Sequence, residues 1–238
     1  MNMSNAENAH KEVLKMEETC GFCAKIKSGF PQAEIQPWDR LLYESKNFIV
    51  LPTVGAIVQG WLLIVPKDHY LCMGALDRNL FAEYEELCAT VADVIERCYG
   101  PVAIFEHGPA KPNEVVGCSV DHAHVHLVPT QCDLILDASK MFTEPLEWRS
   151  ASGIADTRSF FIEKKSYLYL EQPLGKAFIA NHPGIQSQLF RKVIAAHAGC
   201  LERYDWRSFP EINNILFTVN EIGPLLRNIK ARIQTRVA

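Results

Sequence analysis

The segment Gly117-Cys118-Ser119-Val120-Asp121-His122-Ala123-His124-Val125-His126-Leu127-Val128-Pro129 alternates imidazoles with apolar side chains. A period of two is the mark of a strand, on which successive side chains point to opposite faces. The pattern predicts that His122, His124 and His126 share one face, while Ala123, Val125 and Leu127 anchor the other in a core. A chain with this segment must build a sheet with a polar face open to chemistry at this point. Each large apolar side chain given up there forgoes about 1.5–3 kcal/mol of burial.

The rest of the chain supplies partners for that strand. Leu41 to Tyr43, Phe48 to Leu51, Trp61 to Val65 and Val102 to Phe105 read as short strands, the third as a continuous apolar run. Asp77 to Tyr99 reads as a helix with Asp77 as its cap and Gly100-Pro101 as its stop. Its apolar stripe includes Leu80, Tyr84, Leu87, Val91, Val94 and Ile95, with Cys88 and Cys98 as small core residues. Residues 139–159 turn polar and irregular, as a linker or long loop would. Beyond them lie two strand patterns, at 167–170 and 177–180, and two helical ones, at 186–197 and 225–237. Short connections with one long helix favour an α+β fold, an antiparallel sheet packed with helices. We divide the chain into a lead-in at 1–17, a domain at 18–138 and a C-terminal α/β extension at 139–238.

A net charge of −4 argues against broad capture of nucleic acid or acidic membranes. No run approaches the roughly 20 apolar residues of a membrane span, and the first residues lack the pattern of a secretory signal. We therefore expect a cytoplasmic protein, with no membrane partner. In that compartment the eight scattered cysteines form no disulfides, and the close pair Cys20 and Cys23 suggests a metal.

Three readings of the histidines stand side by side. They can be solvent-facing strand residues. They can ligate a catalytic zinc, although same-face neighbours roughly 6.5–7 Å apart converge poorly in threes. They can serve phosphoryl chemistry, in which a neutral central imidazole attacks phosphorus while its neighbours hold phosphate oxygens.

His122-Ala123-His124-Val125-His126-Leu127-Val128 resembles the signature of the histidine triad superfamily, His-x-His-x-His followed by two apolar residues. The preceding Gly117-x-Ser119-Val120 and the upstream Gly60-Trp61-Leu62-Leu63-Ile64-Val65-Pro66-Lys67-Asp68-His69 resemble that family's other motifs, over roughly 18–132. The resemblance implies a nucleotide hydrolase or nucleotidyltransferase acting at the α-phosphorus through a covalent nucleotidyl-histidine intermediate. His124 would be the nucleophile, His126 and Ser119 would bind the phosphate, and His122 would orient the site. It also implies a structural zinc held by Cys20, Cys23, His69 and His122, the four positions at which related proteins carry ligands.

Glu106-His107-Gly108 stands where the family has Asn-x-Gly, so His107 is a candidate phosphate ligand, while Lys111 reads as a phosphate contact or a solvated loop charge. Glu106 reads as a strand-end residue. Cys118 replaces a common glutamine, Thr130 replaces an arginine, and no aspartate stands near Thr53 to hold a ribose hydroxyl, so the base is left open. The stretch Glu202-Arg203-Tyr204-Asp205-Trp206-Arg207 is faintly similar to CwfJ-like proteins. It suggests an alternative, a non-catalytic nucleotide- or RNA-binding module that docks a partner. The plainer reading is a buried Trp206 with an exposed ion pair. Compact triad proteins are commonly homodimers; the extension here can instead fill the place of a second subunit.

Overall fold

The computed structural model of the chain describes residues 19–30, 36–118, 120–144, 146–173 and 175–237, with 230–237 described by backbone alone. The lead-in at 1–17 and Ser119 lie outside the described residues. Among the described residues, eight strands form one antiparallel sheet: β1 (Tyr43–Glu44), β2 (Phe48–Pro52), β3 (Leu62–Pro66), β4 (Val102–Gly108), β5 (Val125–Pro129), β6 (Trp148–Ala151), β7 (Tyr167–Gln172) and β8 (Lys176–Ala180). Their spatial order is β1-β2-β3-β5-β4-β7-β8-β6.

The apolar runs in β2 and β3 are continuous because both faces of the sheet are covered there. Phe48, Val50, Leu62 and Ile64 join the main core. Ile49, Leu51, Leu63 and Val65 face the other way, packing with Phe30 and with Phe22 and Ile26 of helix α1 (Gly21–Ser28). Helix α2 (Phe81–Tyr99) buries its stripe through Val94 and Ile95, but Cys98 is exposed and is no core residue, unlike Cys88. Asp77 does not cap this helix with its side chain. A 3-10 turn at Arg78–Leu80 intervenes, and the Asp77 carboxylate accepts the Tyr70 hydroxyl at 3.1 Å. Glu83 in the first helical turn instead accepts Asn47 N–H at 2.8 Å and Ser45 Oγ–H at 2.6 Å, tying the β1–β2 turn to the helix.

The histidine segment departs from the expected strand. Strand β5 starts only at Val125, so His126 alone of the three lies in the ladder, opposite Leu63 and Phe105. His122 and His124 precede it, and Ala123 N–H bonds Tyr70 O at 2.6 Å rather than a neighbouring strand. The reason is local. The His122 ring is drawn to the Pro66 carbonyl at 2.9 Å, at the end of β3, which takes this stretch out of register.

The extension continues the sheet. Strand β7 pairs with β4 from Ile104↔Glu171 to Gly108↔Tyr167. Strand β4 is longer than expected, so Glu106 is not a strand-end residue. Its buried carboxyl accepts Met73 N–H at 2.6 Å and the Tyr167 hydroxyl at 2.5 Å. Residues 139–159 are not an irregular linker: they hold β6, paired with β8, and the start of helix α4 (Thr157–Ile162), after helix α3 (Leu134–Ser139). Helices α5 (Leu189–His197) and α6 (Ile212–Val237) complete the layer; α6 runs through Pro224, well before the expected start at 225. Among the described residues, no helix is long and apolar enough to cross a membrane.

Candidate functional site

Helix α1 begins at the cysteine pair. Cys20 is its N-cap, and its sulfur accepts Cys23 N–H at 3.4 Å, so the i, i+3 spacing puts both sulfurs on one side of the first turn. Cys23 Sγ lies 3.3 Å from His69 Nδ1, and Cys20 Sγ lies 3.3 Å from His122 Nδ1. The Pro66 carbonyl can only accept, so His122 Nε2 carries the proton and its Nδ1 lone pair faces the sulfurs. Burial alone would raise the Cys20 thiol; the His122 and His69 rings and Cys23 N–H outweigh it and lower it to about 5. The four ligand atoms lie within 4.8 Å of one another, a cluster that can hold a metal ion. Two sulfurs and two ring nitrogens with thiolate character suit a closed tetrahedral site.

Next to this cluster stands His124. Its Nδ1 lies 2.7 Å from the His122 carbonyl, which again can only accept. Nδ1 therefore carries the proton, and the Nε2 lone pair is free. Burial lowers the His124 ring to about 4 against the opposing effect of the carbonyl bond, so the ring is neutral near pH 7. His126 has the opposite tautomer. Its Nδ1 accepts the Trp61 indole N–H at 3.1 Å, and the indole can only donate, so the proton sits on Nε2. Burial drives His126 well below the ordinary histidine value. Its ring stacks on Phe105 at 4.6 Å and lies 5.1 Å from that of His124, centroid to centroid.

These rings open on a cavity of about 920 Å³. His107 of β4 lines it, and Phe22 and Trp38 stand on its walls. The His107 Nε2 is buried with no hydrogen-bond partner among the described residues, and burial, then the neighbouring His124 and Arg191, lowers the ring to about 3. Thr53 and Cys118, two of the departures from the family pattern, also line the cavity. Lys111 does not; it is an exposed loop charge 4.0 Å from Glu114. Trp206 is half-buried on the cavity wall rather than fully buried, with the Arg207 guanidinium 4.5 Å over its ring. Three residues were not singled out by sequence reasoning: Trp61, which sets the His126 tautomer, and the wall residues Trp38 and Arg191. Gly60-Trp61 opens the upstream motif, the one signal that could have found it.

Residues 35–132 match the family model described as HIT domain. The chain is similar to a Hit-like protein involved in cell-cycle regulation from Bartonella henselae, at 16% identity over 47% of this chain and 79% of that one, TM-score 0.38. It is similar to a hypothetical histidine triad nucleotide-binding protein from Sulfolobus tokodaii, at 18% identity over 61% of this chain and 91% of that one, TM-score 0.38. A zinc-bound histidine triad family protein from Mycobacterium smegmatis is also similar, at 17% identity over 62% and 94% of the two chains, TM-score 0.36. No curated protein matches by sequence.

Proposed function

We propose, for a chain whose residues 35–132 form a domain of the histidine triad superfamily, that it is a nucleotide hydrolase or nucleotidyltransferase working through a nucleotidyl-His124 intermediate. One observation carries the reading: the 2.7 Å bond from His124 Nδ1 to the His122 carbonyl. It fixes the tautomer and leaves the opposite nitrogen, on a neutral ring, to act as nucleophile at the cavity wall.

In the first step the His124 Nε2 lone pair forms a bond to the α-phosphorus. The bond from phosphorus to the leaving group breaks, and its electron pair departs with that group. His124 becomes an imidazolium, whose Nδ1–H is already held by a carbonyl oxygen. In the second step water or another acceptor attacks phosphorus, loses its proton to solvent, and returns the pair to Nε2. His126 donates from Nε2–H to a phosphate oxygen, its tautomer set by Trp61. Ser119 and His107 are assigned as further phosphate ligands. His122 positions His124 through its own carbonyl.

Zinc is the metal we assign to Cys20, Cys23, His69 and His122, whose donor set fits it. When bound, it neutralises the thiolates and stiffens the stretch before β5. We take the setting as cytoplasmic, in keeping with eight cysteines that form no disulfide among the described residues. Strand β4 has β5 on one side and β7 on the other, so it offers no free edge for pairing with a second copy.

Incubation of the wild type with nucleoside phosphoramidates, dinucleoside polyphosphates and nucleotide sugars should add the mass of one nucleotidyl group, and His124→Ala should not. Binding with neither adduct nor turnover across the panel would overturn the reading and favour a nucleotide- or RNA-binding module.

A further inference from the structure

We propose that Arg191, brought to the cavity by α5 of the extension, is a substrate-binding residue that receives an anionic phosphate oxygen in the cavity that His124 lines. The inference rests on the reading of the cavity as a nucleotide site and adds the group that supplies its positive charge.

Arg191 is 4% exposed and lines the cavity together with His107, His124 and His126. Its Nε donates to the Tyr204 carbonyl at 3.0 Å, its Nη2 donates to the Gly55 carbonyl, and its Cζ lies 4.8 Å over the Trp61 ring. All three partners are neutral. Gly55 makes the approach possible: its φ is +69°, and a Cβ there would sit 2.5 Å from Nη2. The guanidinium is thus held in one place on a rigid support.

What it lacks is a counter-charge. Cys118, Asp205 and Glu211 are the acids whose charges reach it, yet burial raises the Cys118 thiol and keeps its proton on, Asp205 pairs with Arg207 at 3.6 Å and Glu211 with Arg203 at 2.6 Å. Among the described residues, no carboxylate forms an ion pair with Arg191. Lys25, another cation on the wall, is held by Asp39 at 2.5 Å. An arginine does not shed its proton when buried, and an isolated buried cation is costly unless something compensates it. A phosphate entering the cavity would bring the missing charge, and its oxygens suit a planar fork. The buried, unpartnered His107 Nε2 on the same wall is a second sign that a polar ligand belongs there.

The rival account is a clamp that merely joins α5 to the Gly55 loop. Calorimetric titration separates the two in full-length His124→Ala protein, which cannot turn over. The probes are adenosine, guanosine, cytidine and uridine, their 5′-monophosphates, and inorganic pyrophosphate. Adding Arg191→Gln should weaken the best-bound monophosphate at least tenfold and leave its nucleoside within twofold, while Arg191→Lys recovers part of the loss. A nucleoside affinity that falls as far as the monophosphate's, or no change in either, overturns the proposal, as does wild-type protein that binds none of the phosphates. If Arg191→Gln does not fold, Arg191→Lys carries the test: at least threefold weaker monophosphate binding with an unchanged nucleoside supports it, and equal ratios overturn it. The outcome is independent of the adduct at His124. An adduct without the Arg191 differential defeats this proposal alone; the differential without an adduct defeats only the catalytic reading.

Discussion

His122 and His126 stand two residues on either side of His124, are both buried, and are prepared for opposite tasks. Around His122 the Pro66 carbonyl takes Nε2–H, so the free lone pair turns to two cysteines and a second histidine. Around His126 the Trp61 indole takes the Nδ1 lone pair, so a proton stands on Nε2. One ring is thereby prepared to ligate a metal and the other to donate a hydrogen bond. The difference lies in which nitrogen a single fixed neighbour occupies, and both neighbours come from β3 or the residue just before it. A strand that spaces the imidazoles is therefore not enough; the adjoining strand decides what each can do.

The most severe way to break the comparison is at the metal side. Cys23→Ser removes one of four ligands and should lose the metal, read by elemental analysis of the purified protein. Binding free energy at a structural zinc site is folding free energy, on the order of 10 kcal/mol. The unfolding midpoint should fall by about 10 °C or more. A variant that keeps one equivalent of metal with an unshifted midpoint contradicts the assignment of Cys23.

On the His126 side the expected effect is smaller and of a different kind. Trp61→Phe keeps an aromatic ring beneath Arg191 and beside Phe105 but removes the N–H that fixes the tautomer. One lost hydrogen bond of about 1.4 kcal/mol in the transition state corresponds to roughly a tenfold fall in kcat/KM. Metal content should not move. Turnover equal to wild type would mean that the indole does not set the donor, and loss of metal would mean that the two sides are not separable.

The same two sides show what could be read in advance. The spacing of Cys20 and Cys23 suggests a metal, but only the resemblance to the triad family joins His69 and His122 to them, and the four do come within 4.8 Å of one another. The first half of the histidine segment was misread as strand, because period two describes side-chain faces and says nothing about a ring captured by Pro66. Arg191 was invisible for another reason. It sits beside Phe190 in a nine-residue helix, where a charged residue reads as solvent-facing, and only the pairing of β4 with β7 carries that helix over the cavity. Strand β6 is four residues long with Arg149 and Ser150 exposed, too short and too polar to stand out from a loop. Gly223-Pro224 reads as a helix boundary, yet α6 passes through it.

His107 is the control for the comparison, and the smallest effect belongs to it. It faces the same cavity with no neighbour on Nε2 to choose a tautomer. Burial, then His124 and Arg191, lowers its folded value to about 3, below the ordinary 6.5 of the unfolded chain. Between these values the unfolded chain takes up a proton that the folded protein refuses. The ring's share of stability is thus fully present above about 6.5 and is lost as the pH falls toward 3. From pH 7 to pH 6, a window kept well above the Cys20 value, that share amounts to about 0.7 kcal/mol for a single such group. Urea unfolding of wild type and His107→Gln at the two pH values isolates it, because burial keeps the neighbouring His124 and His126 rings neutral over this window in both folded proteins. The wild type should lose about 0.7 kcal/mol more than the variant on acidification. Equal losses would mean that His107 accepts a proton in the folded state, and that its wall of the cavity is wetter and less apolar than the burial of the ring requires.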